Sequence, residues 1–419
     1  MYKSKISISL SLISLFLITG CNQKSSSTDT GSTDTTPTDT VNHYDEGYEA
    51  GYEAGHSGLN KDYQGHEKEN GYVTGYDEGY IKGKEDLEKE NEEAGIKPGL
   101  NIETHTDKQA SYIAGNPSNI SSYADGSKEQ CAPKPITLDY SNVEFESAPD
   151  LYTVRLSETE DFAKYSEYQT TAKSVNVTNL KLGTTYYWNV TGEKGLQEYR
   201  SKTYTFSTKQ GTIRNLYVPG TTNWRDLGNY ETSDGKRIKQ GLIYRSAAFG
   251  FYDGETKSTI DQETINTIKY DLKIKSDIDL AGVQGIDGVN RYYYRMEYSG
   301  ISNLIDDAGN KKSIKSVFET LGDSNKYPAV FHCTRGRDRT GAIAFLLEGY
   351  LGVSQEDLTR DYLFTNFSSS NSCNISVVNT YISYLNGFEG NTLQQKIESY
   401  LLSIGVTQST LTNIESILK

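Results

Sequence analysis

Apolar and polar residues alternate along this chain in three different rhythms, and each predicts a different architecture. Between Tyr44 and Gly83 glycine recurs every fourth residue with tyrosine beside it. The pattern runs Tyr44-Asp45-Glu46-Gly47-Tyr48-Glu49-Ala50-Gly51-Tyr52-Glu53-Ala54-Gly55 and returns as Gly71-Tyr72-Val73-Thr74-Gly75-Tyr76-Asp77-Glu78-Gly79-Tyr80-Ile81-Lys82-Gly83. Four residues advance about 400° on a helix, so these glycines make a slowly drifting stripe. A glycine stripe lets two helices approach closely, as a hairpin or a self-association surface. Each glycine also costs roughly 1 kcal/mol of helix stability, which leaves a weakly helical, solvated spacer as the other reading of residues 43–99. From 133 to 210 the rhythm is that of strands: Tyr152 to Leu156, Ser174 to Val177, Tyr186 to Val190 and Tyr204 to Phe206 alternate between polar turns, predicting an all-β domain. From 212 to 419 apolar strands (Leu242 to Tyr244, Ser276 to Leu280, Ala329 to Phe331) alternate with helical stretches, predicting an α/β domain with a central, mostly parallel sheet.

Composition fits this division. A chain of 419 residues is long enough for two or three domains, and its 35% apolar content is low enough for part of it to be tail or spacer. A net charge of -14 argues against general nucleic-acid binding, so any site for a polyanion is local. The beginning of the chain reads as an address. Lys3 and Lys5 precede an apolar run from Ile6 to Ile18, too short to cross a bilayer comfortably, and the run ends in Ile18-Thr19-Gly20-Cys21. Residues 1–20 thus resemble a bacterial lipoprotein signal peptide. The resemblance implies lipidation of Cys21, export, and a membrane anchor facing outside the cytoplasm. Residues 21–42, nearly all small and polar, predict a disordered tether.

Within the β region, Leu180-Lys181-Leu182-Gly183-Thr184-Thr185-Tyr186-Tyr187-Trp188-Asn189-Val190 resembles the start of the F strand in fibronectin type III domains. The resemblance makes Tyr186 a corner residue and Trp188 a core residue of a β-sandwich. Leu182 stands where that family usually has proline.

The chemistry is concentrated in Pro328-Ala329-Val330-Phe331-His332-Cys333-Thr334-Arg335-Gly336-Arg337-Asp338-Arg339-Thr340-Gly341-Ala342-Ile343. An apolar strand runs into a short loop, and an apolar helix follows at once. Backbone N–H groups of such a loop converge on an anion, the positive helix end faces it, and both lower the pKa of a cysteine there. Arg339 opens the helix, where its planar fork can grip two phosphoryl oxygens and follow their developing charge. Thr340 can donate to the sulfur, Gly336 permits the turn, and Gly341 allows close helix packing. Six fixed positions of this kind arise by chance about once in 10^7 windows at ordinary residue usage. A buried structural cysteine in a glycine-rich turn leaves three arginines within five residues of an acidic protein unexplained.

These residues resemble the tyrosine-phosphatase superfamily, and more closely its bacterial branch of secreted and lipoprotein phosphatases, whose loop reads His-Cys-x-x-Gly-Lys-Asp-Arg-Thr-Gly. Three further segments carry the likeness: Asn223-Trp224-Arg225-Asp226-Leu227-Gly228-Asn229-Tyr230, Gly241-Leu242-Ile243-Tyr244-Arg245-Ser246, and Leu351-Gly352-Val353-Ser354-Gln355-Glu356-Asp357-Leu358-Thr359-Arg360-Asp361-Tyr362. The resemblance implies Cys333 as nucleophile forming a phosphocysteine, and Arg339 as phosphate binder. It makes Asp338 the preferred general acid, with Asp306 and Asp307 as the alternative. His332, Thr334, Arg335, Gly336, Arg337 and Thr340 become substrate-binding positions.

Arg335 and Arg337 depart from the branch's pattern and add charge at the mouth, and Ala281 stands where the family's Asp-Leu-Arg strand ends in arginine. The implied substrate is a phosphoprotein, chiefly at phosphotyrosine, or a phosphoinositide. A surface-binding lipoprotein with a weak or inactive phosphatase domain is the competing reading, motivated by the repeat, the β region and Ala281. A rhodanese-type sulfurtransferase also uses a cysteine loop, but Arg339 followed by Thr340-Gly341 speaks against it. No metal or cofactor is implied, since the five histidines are scattered. With Cys21 and Cys333 assigned, only Cys131 and Cys373 remain, and their place in separate predicted domains argues against a disulfide.

Overall fold

The computed structural model describes residues 41–56, 61–63, 65–93, 99–127, 131–145, 147–252, 255–256, 260–368 and 372–419. The signal-like segment, Cys21 and nearly all of the tether lie outside them. In chain order the helices are α1 (Tyr44–His56), α2 (Tyr72–Glu93), α3 (Asp107–Ala114), α4 (Gln262–Asn266), α5 (Ala308–Leu321), α6 (Asp338–Leu351), α7 (Gln355–Phe364), α8 (Ile375–Leu385), α9 (Leu393–Ser403) and α10 (Gln408–Leu418). Among them, none is long and apolar enough to cross a membrane. The strands are β1 (Ile136–Asp139), β2 (Leu151–Ser157), β3 (Tyr165–Thr170), β4 (Ser174–Val177), β5 (Thr185–Lys194), β6 (Gln197–Arg200), β7 (Tyr204–Ser207), β8 (Arg214–Val218), β9 (Thr221–Asp226), β10 (Ile243–Ser246), β11 (Phe251–Tyr252), β12 (Glu255–Thr256), β13 (Ser276–Asp279), β14 (Asn290–Tyr293) and β15 (Ala329–His332).

The chain divides into two compact units. The first comprises the described residues up to Leu100, with Asp139–Val175 and Thr185–Ser207. In it, Gly47, Gly51 and Gly55 of α1 meet the carbonyls of Tyr72, Tyr76 and Tyr80 in turn, while Gly75, Gly79 and Gly83 of α2 meet those of Tyr44, Tyr48 and Tyr52. Both series ascend together, so the helices run parallel and not as a hairpin. A Cβ at any of the six would stand 2.0–2.2 Å from a carbonyl oxygen, which is why the stripe is glycine. Tyr52 OH donates to Asp86 Oδ2 at 3.2 Å, and His56 pairs with Glu90 at 3.2 Å, the same 34 residues ahead. The unit also holds an antiparallel sheet in the order β3-β2-β5-β6, with β7 paired to β5. Trp188 is fully buried in β5, and Tyr186 stacks on Phe206 of β7.

The second unit comprises Asn101–Leu138, Asn176–Thr184 and Thr208–Lys419. Compactness therefore cuts the chain differently from the sequence boundaries, because residues 101–138 pack into the α/β core. Tyr112 OH donates to Arg360 O at 3.1 Å and its ring lies against Phe364 and Phe367. His105 Nε2 donates to Ile213 O at 2.6 Å, and Asn215 Nδ2 donates to Cys131 O at 2.9 Å. The sheet order is β14-β13-β15-β10-β9-β8, parallel from β14 to β10 and antiparallel beyond. β15 sits in the middle, buried on both faces, as a parallel strand must be. Ala329 and Phe331 join the larger core with α5 to α10, and Val330 joins the smaller core on the other face. Cys131 and Cys373 belong to this same unit, contrary to the sequence expectation, and no disulfide joins them. The Cys131 sulfur lies 2.9 Å from Thr222 Oγ1, and burial pushes the Cys373 thiol up to about 12.

Candidate active site

β15 ends at His332, and the alternation of the strand turns Cys333 toward the larger core at the sheet's C-terminal edge. α6 begins five residues later and is buried from Thr340 to Leu351, so its apolar sequence anchors the helix start in front of the sulfur. Gly336 makes the turn at φ +64°, and a Cβ there would sit 2.5 Å from Ser246 O at the tip of β10. At Gly341 a Cβ would meet the Tyr362 ring at 2.8 Å, so α6 and α7 need glycine to pack this closely.

Cys333 is only 3% exposed. Burial alone would disfavour its thiolate. The charge of Arg339, then the hydroxyl and backbone N–H of Thr340, outweigh burial and hold the thiol below its ordinary range. Arg339 folds back toward the loop: Nη2 donates to Thr334 Oγ1 at 3.2 Å and Nη1 to Met296 O at 3.3 Å. The half-exposed Tyr298 ring covers one face of the guanidinium at 4.7 Å. Cys333, Arg339, Thr334, Gly336 and Thr340 are thus gathered in one place.

Other expected site residues stand differently. The His332 ring is fully buried on the opposite face, donating from Nε2 to Asp277 Oδ1 at 2.6 Å and packed on Phe249. It cannot bind substrate through its side chain, because the strand's alternation points it away from Cys333. Burial works to lower its pKa, but the neighbouring Asp277 carboxylate outweighs this and raises it. Arg337 was expected to add charge at the mouth, yet Nε donates to both Asp338 carboxylate oxygens at 3.0 Å and Nη1 to Ser372. Of the two extra arginines, Arg335 alone projects into solvent, over the Phe251 ring. Asp338, in the first turn of α6, is held by Arg337. Asp307 caps α5 through Asn310 N at 2.8 Å, and Asp306 pairs with Lys311 at 2.9 Å, which lowers its pKa. Both serve the start of α5, so the alternative acid is already engaged. At the Ala281 position, the Asp279 carboxylate accepts from the backbone of Ala281, Gly282 and Val283 and is paired by Arg291 of β14. A guanidinium from the neighbouring strand stands on this carboxylate.

Behind the loop lies a buried polar cluster that the sequence reading left without roles. Asn223 Nδ2 donates to Arg335 O at 3.1 Å and Gly336 O at 3.0 Å, and Arg245 Nη2 donates to Gly336 O at 2.9 Å. Asp361 accepts from Arg225 Nε at 2.8 Å and from Arg245 Nη1. These residues come from the three motifs outside the loop. The signal available in the sequence was an arginine or an asparagine set inside an apolar strand, where an unpaired polar side chain is rarely tolerated.

Residues 216–417 match the sequence model described as "Tyrosine phosphatase family". They form a tyrosine-phosphatase-family domain. The chain is also similar to a Cupriavidus necator protein whose name assigns it to the tyrosine-protein phosphatases, 26% identical over 170 residues, which are 35% of this chain and 60% of that protein. The chain therefore spans about 60% of the length of this curated relative. The core catalytic domain of the PP-IP phosphatase Siw14 from S. cerevisiae, solved with citrate, aligns with TM-score 0.26 and 18% identity over 34% of this chain and 84% of that one. A second Siw14 catalytic core aligns with TM-score 0.25 and 16% identity over 36% and 91%. At those scores the structural likeness decides nothing. Outside the phosphatase domain, in the helical unit, His43, Glu46 and Glu69 bring ligand atoms within 4.8 Å of one another and are the one group among the described residues able to share a metal ion.

Proposed function

We propose that this protein is a cysteine-dependent phosphomonoester hydrolase, displayed outside the cytoplasm on a lipid anchor at Cys21. The observation that carries the reading is a buried Cys333 whose thiol is held down by Arg339 at the start of an apolar helix. The Cys333 thiolate attacks phosphorus while Arg339 binds two equatorial oxygens. The oxygen–phosphorus bond breaks and the leaving oxygen takes a proton from Asp338 once Arg337 yields it. Water then attacks the phosphocysteine and gives its proton to the Asp338 carboxylate, the phosphorus–sulfur bond breaks, phosphate departs, and the buried Thr340 hydroxyl beside Cys333 steadies the thiolate as it is released. The β strands before the domain read as a fibronectin type III-like module presenting it, with the glycine-tyrosine helices as a spacer.

Arg335, exposed and resting on Phe251, favours substrates carrying a second negative group, such as an acidic phosphopeptide or a phosphoinositide. The test is hydrolysis of a generic aryl phosphate by wild type and by Cys333→Ser. Wild type turns over, vanadate inhibits it, EDTA does not, and the serine variant is inert. A requirement for a divalent metal sinks the mechanism. Equal turnover by wild type and the serine variant favours the inactive, surface-binding reading.

A further inference from the structure

The buried cluster behind the loop does more than fill space. In a trans peptide the C=O and the following N–H point in opposite directions, so anchoring one aims the other. The carbonyl of Arg335 shares its plane with the N–H of Gly336, and the carbonyl of Gly336 shares its plane with the N–H of Arg337. Both carbonyls are drawn into the protein, one by Asn223 and the other by Asn223 and Arg245. The two N–H groups then face the other way, toward the concave side of the loop, and neither finds an acceptor among the described residues. Asn223 is itself fixed, because Arg225 Nη1 donates to its Oδ1 at 2.5 Å and leaves Nδ2 turned to the loop. Asp361 joins Arg225 to Arg245, and all four side chains are buried. Their charges are matched in part: two guanidiniums face one carboxylate, and the nearby Glu348 carboxyl is pushed well above the carboxylate range by burial and then by Asp361.

Resting on the phosphatase reading above, we infer that Asn223 and Arg245, aligned by Arg225 and Asp361, are positioning residues that set the two loop peptides so that the N–H groups of Gly336 and Arg337 grip the transferring phosphoryl group. The clamp acts on oxyanion binding. It does not act on ionisation of Cys333, which depends on Arg339 and Thr340.

Asn223 has φ +62°, so Asn223→Gly removes the amide without backbone strain, and Asn223→Asp sets a carboxylate against two carbonyl oxygens. The full-length wild type and both variants are compared in orthovanadate affinity, read as protection of Cys333 from iodoacetamide, in the pH profile of that alkylation, and in aryl phosphate turnover. Asn223→Gly is expected to lose about 10- to 100-fold in vanadate affinity and kcat, short of the 10^2–10^3 for deleting a direct oxyanion donor, with Asn223→Asp losing more. The alkylation midpoint stays in place. Unchanged vanadate affinity in both variants overturns the clamp while leaving the phosphatase reading standing. Loss of vanadate binding together with a displaced alkylation midpoint also overturns it, since the loop would then depend on Asn223 merely to fold. A wild type that neither binds vanadate nor turns over removes the phosphatase reading, and the clamp with it.

Discussion

Cys333 shows how a buried thiol can be made acidic by its neighbours. Burial opposes the thiolate, so the downward shift is owed to Arg339 and Thr340. The sign of the pH dependence follows. Thiolate fraction rises with pH through the thiol's pKa, so a lowered pKa places the rise in iodoacetamide reactivity below the range of an ordinary cysteine. Arg339→Met should move that rise to higher pH and cut aryl phosphate turnover on the order of 10^3-fold, because it also deletes the proposed phosphate clamp. A variant whose alkylation profile superimposes on wild type would contradict the assignment. Cys333, Arg339, Gly336 and Thr340 were legible because one unbroken stretch of sequence holds strand, loop and helix start. The surroundings of His332 and Arg337 were not, since Asp277 and Ser372 reach them from distant segments. Asn223 and Arg245 were visible as resemblance but not as mechanism: only the fold brings them to the back of the loop.

Among the elements, the strands read from apolar patterning, β2, β4, β5, β7, β10, β13 and β15, all form, since alternation and short apolar runs are local signals, whereas the polar β3, β6 and β14 carry no such signal. Helix direction is different. Glycine spacing announced close approach but carried no sense of parallel or antiparallel, which is set by how the chain returns between α1 and α2. The packing makes a sharp prediction at Gly79, where a Cβ would lie 2.0 Å from Tyr48 O. Gly79→Ala gains roughly 1 kcal/mol of helix propensity, but the helices must separate, at about 1–3 kcal/mol for overpacking. Faster amide exchange in α1 and α2, with phosphatase turnover unaltered, is the expected result. Slower exchange would mean that the contact is looser than its geometry.

For the whole molecule, the boundary between units was the least legible feature. Residues 101–138 precede the β strands in sequence, yet Tyr112, fully buried, packs among Phe364 and Phe367 of the phosphatase domain. No periodicity in a short segment discloses a partner some 250 residues away, where Tyr112 reaches Arg360. A fragment of residues 212–419 should therefore be destabilised relative to 101–419. Losing one such aromatic costs about 3–5 kcal/mol, out of the 5–15 that typically hold a domain. Thermal unfolding checks this, and equal midpoints for the two fragments would refute it.

The reciprocal glycine contacts of α1 and α2 carry one more consequence. Each helix is at once ridge and groove for the other, so the pair is saturated after two copies. A third copy of the repeat would find no uncovered groove, and a chain lengthened there would gain reach without gaining another packed helix.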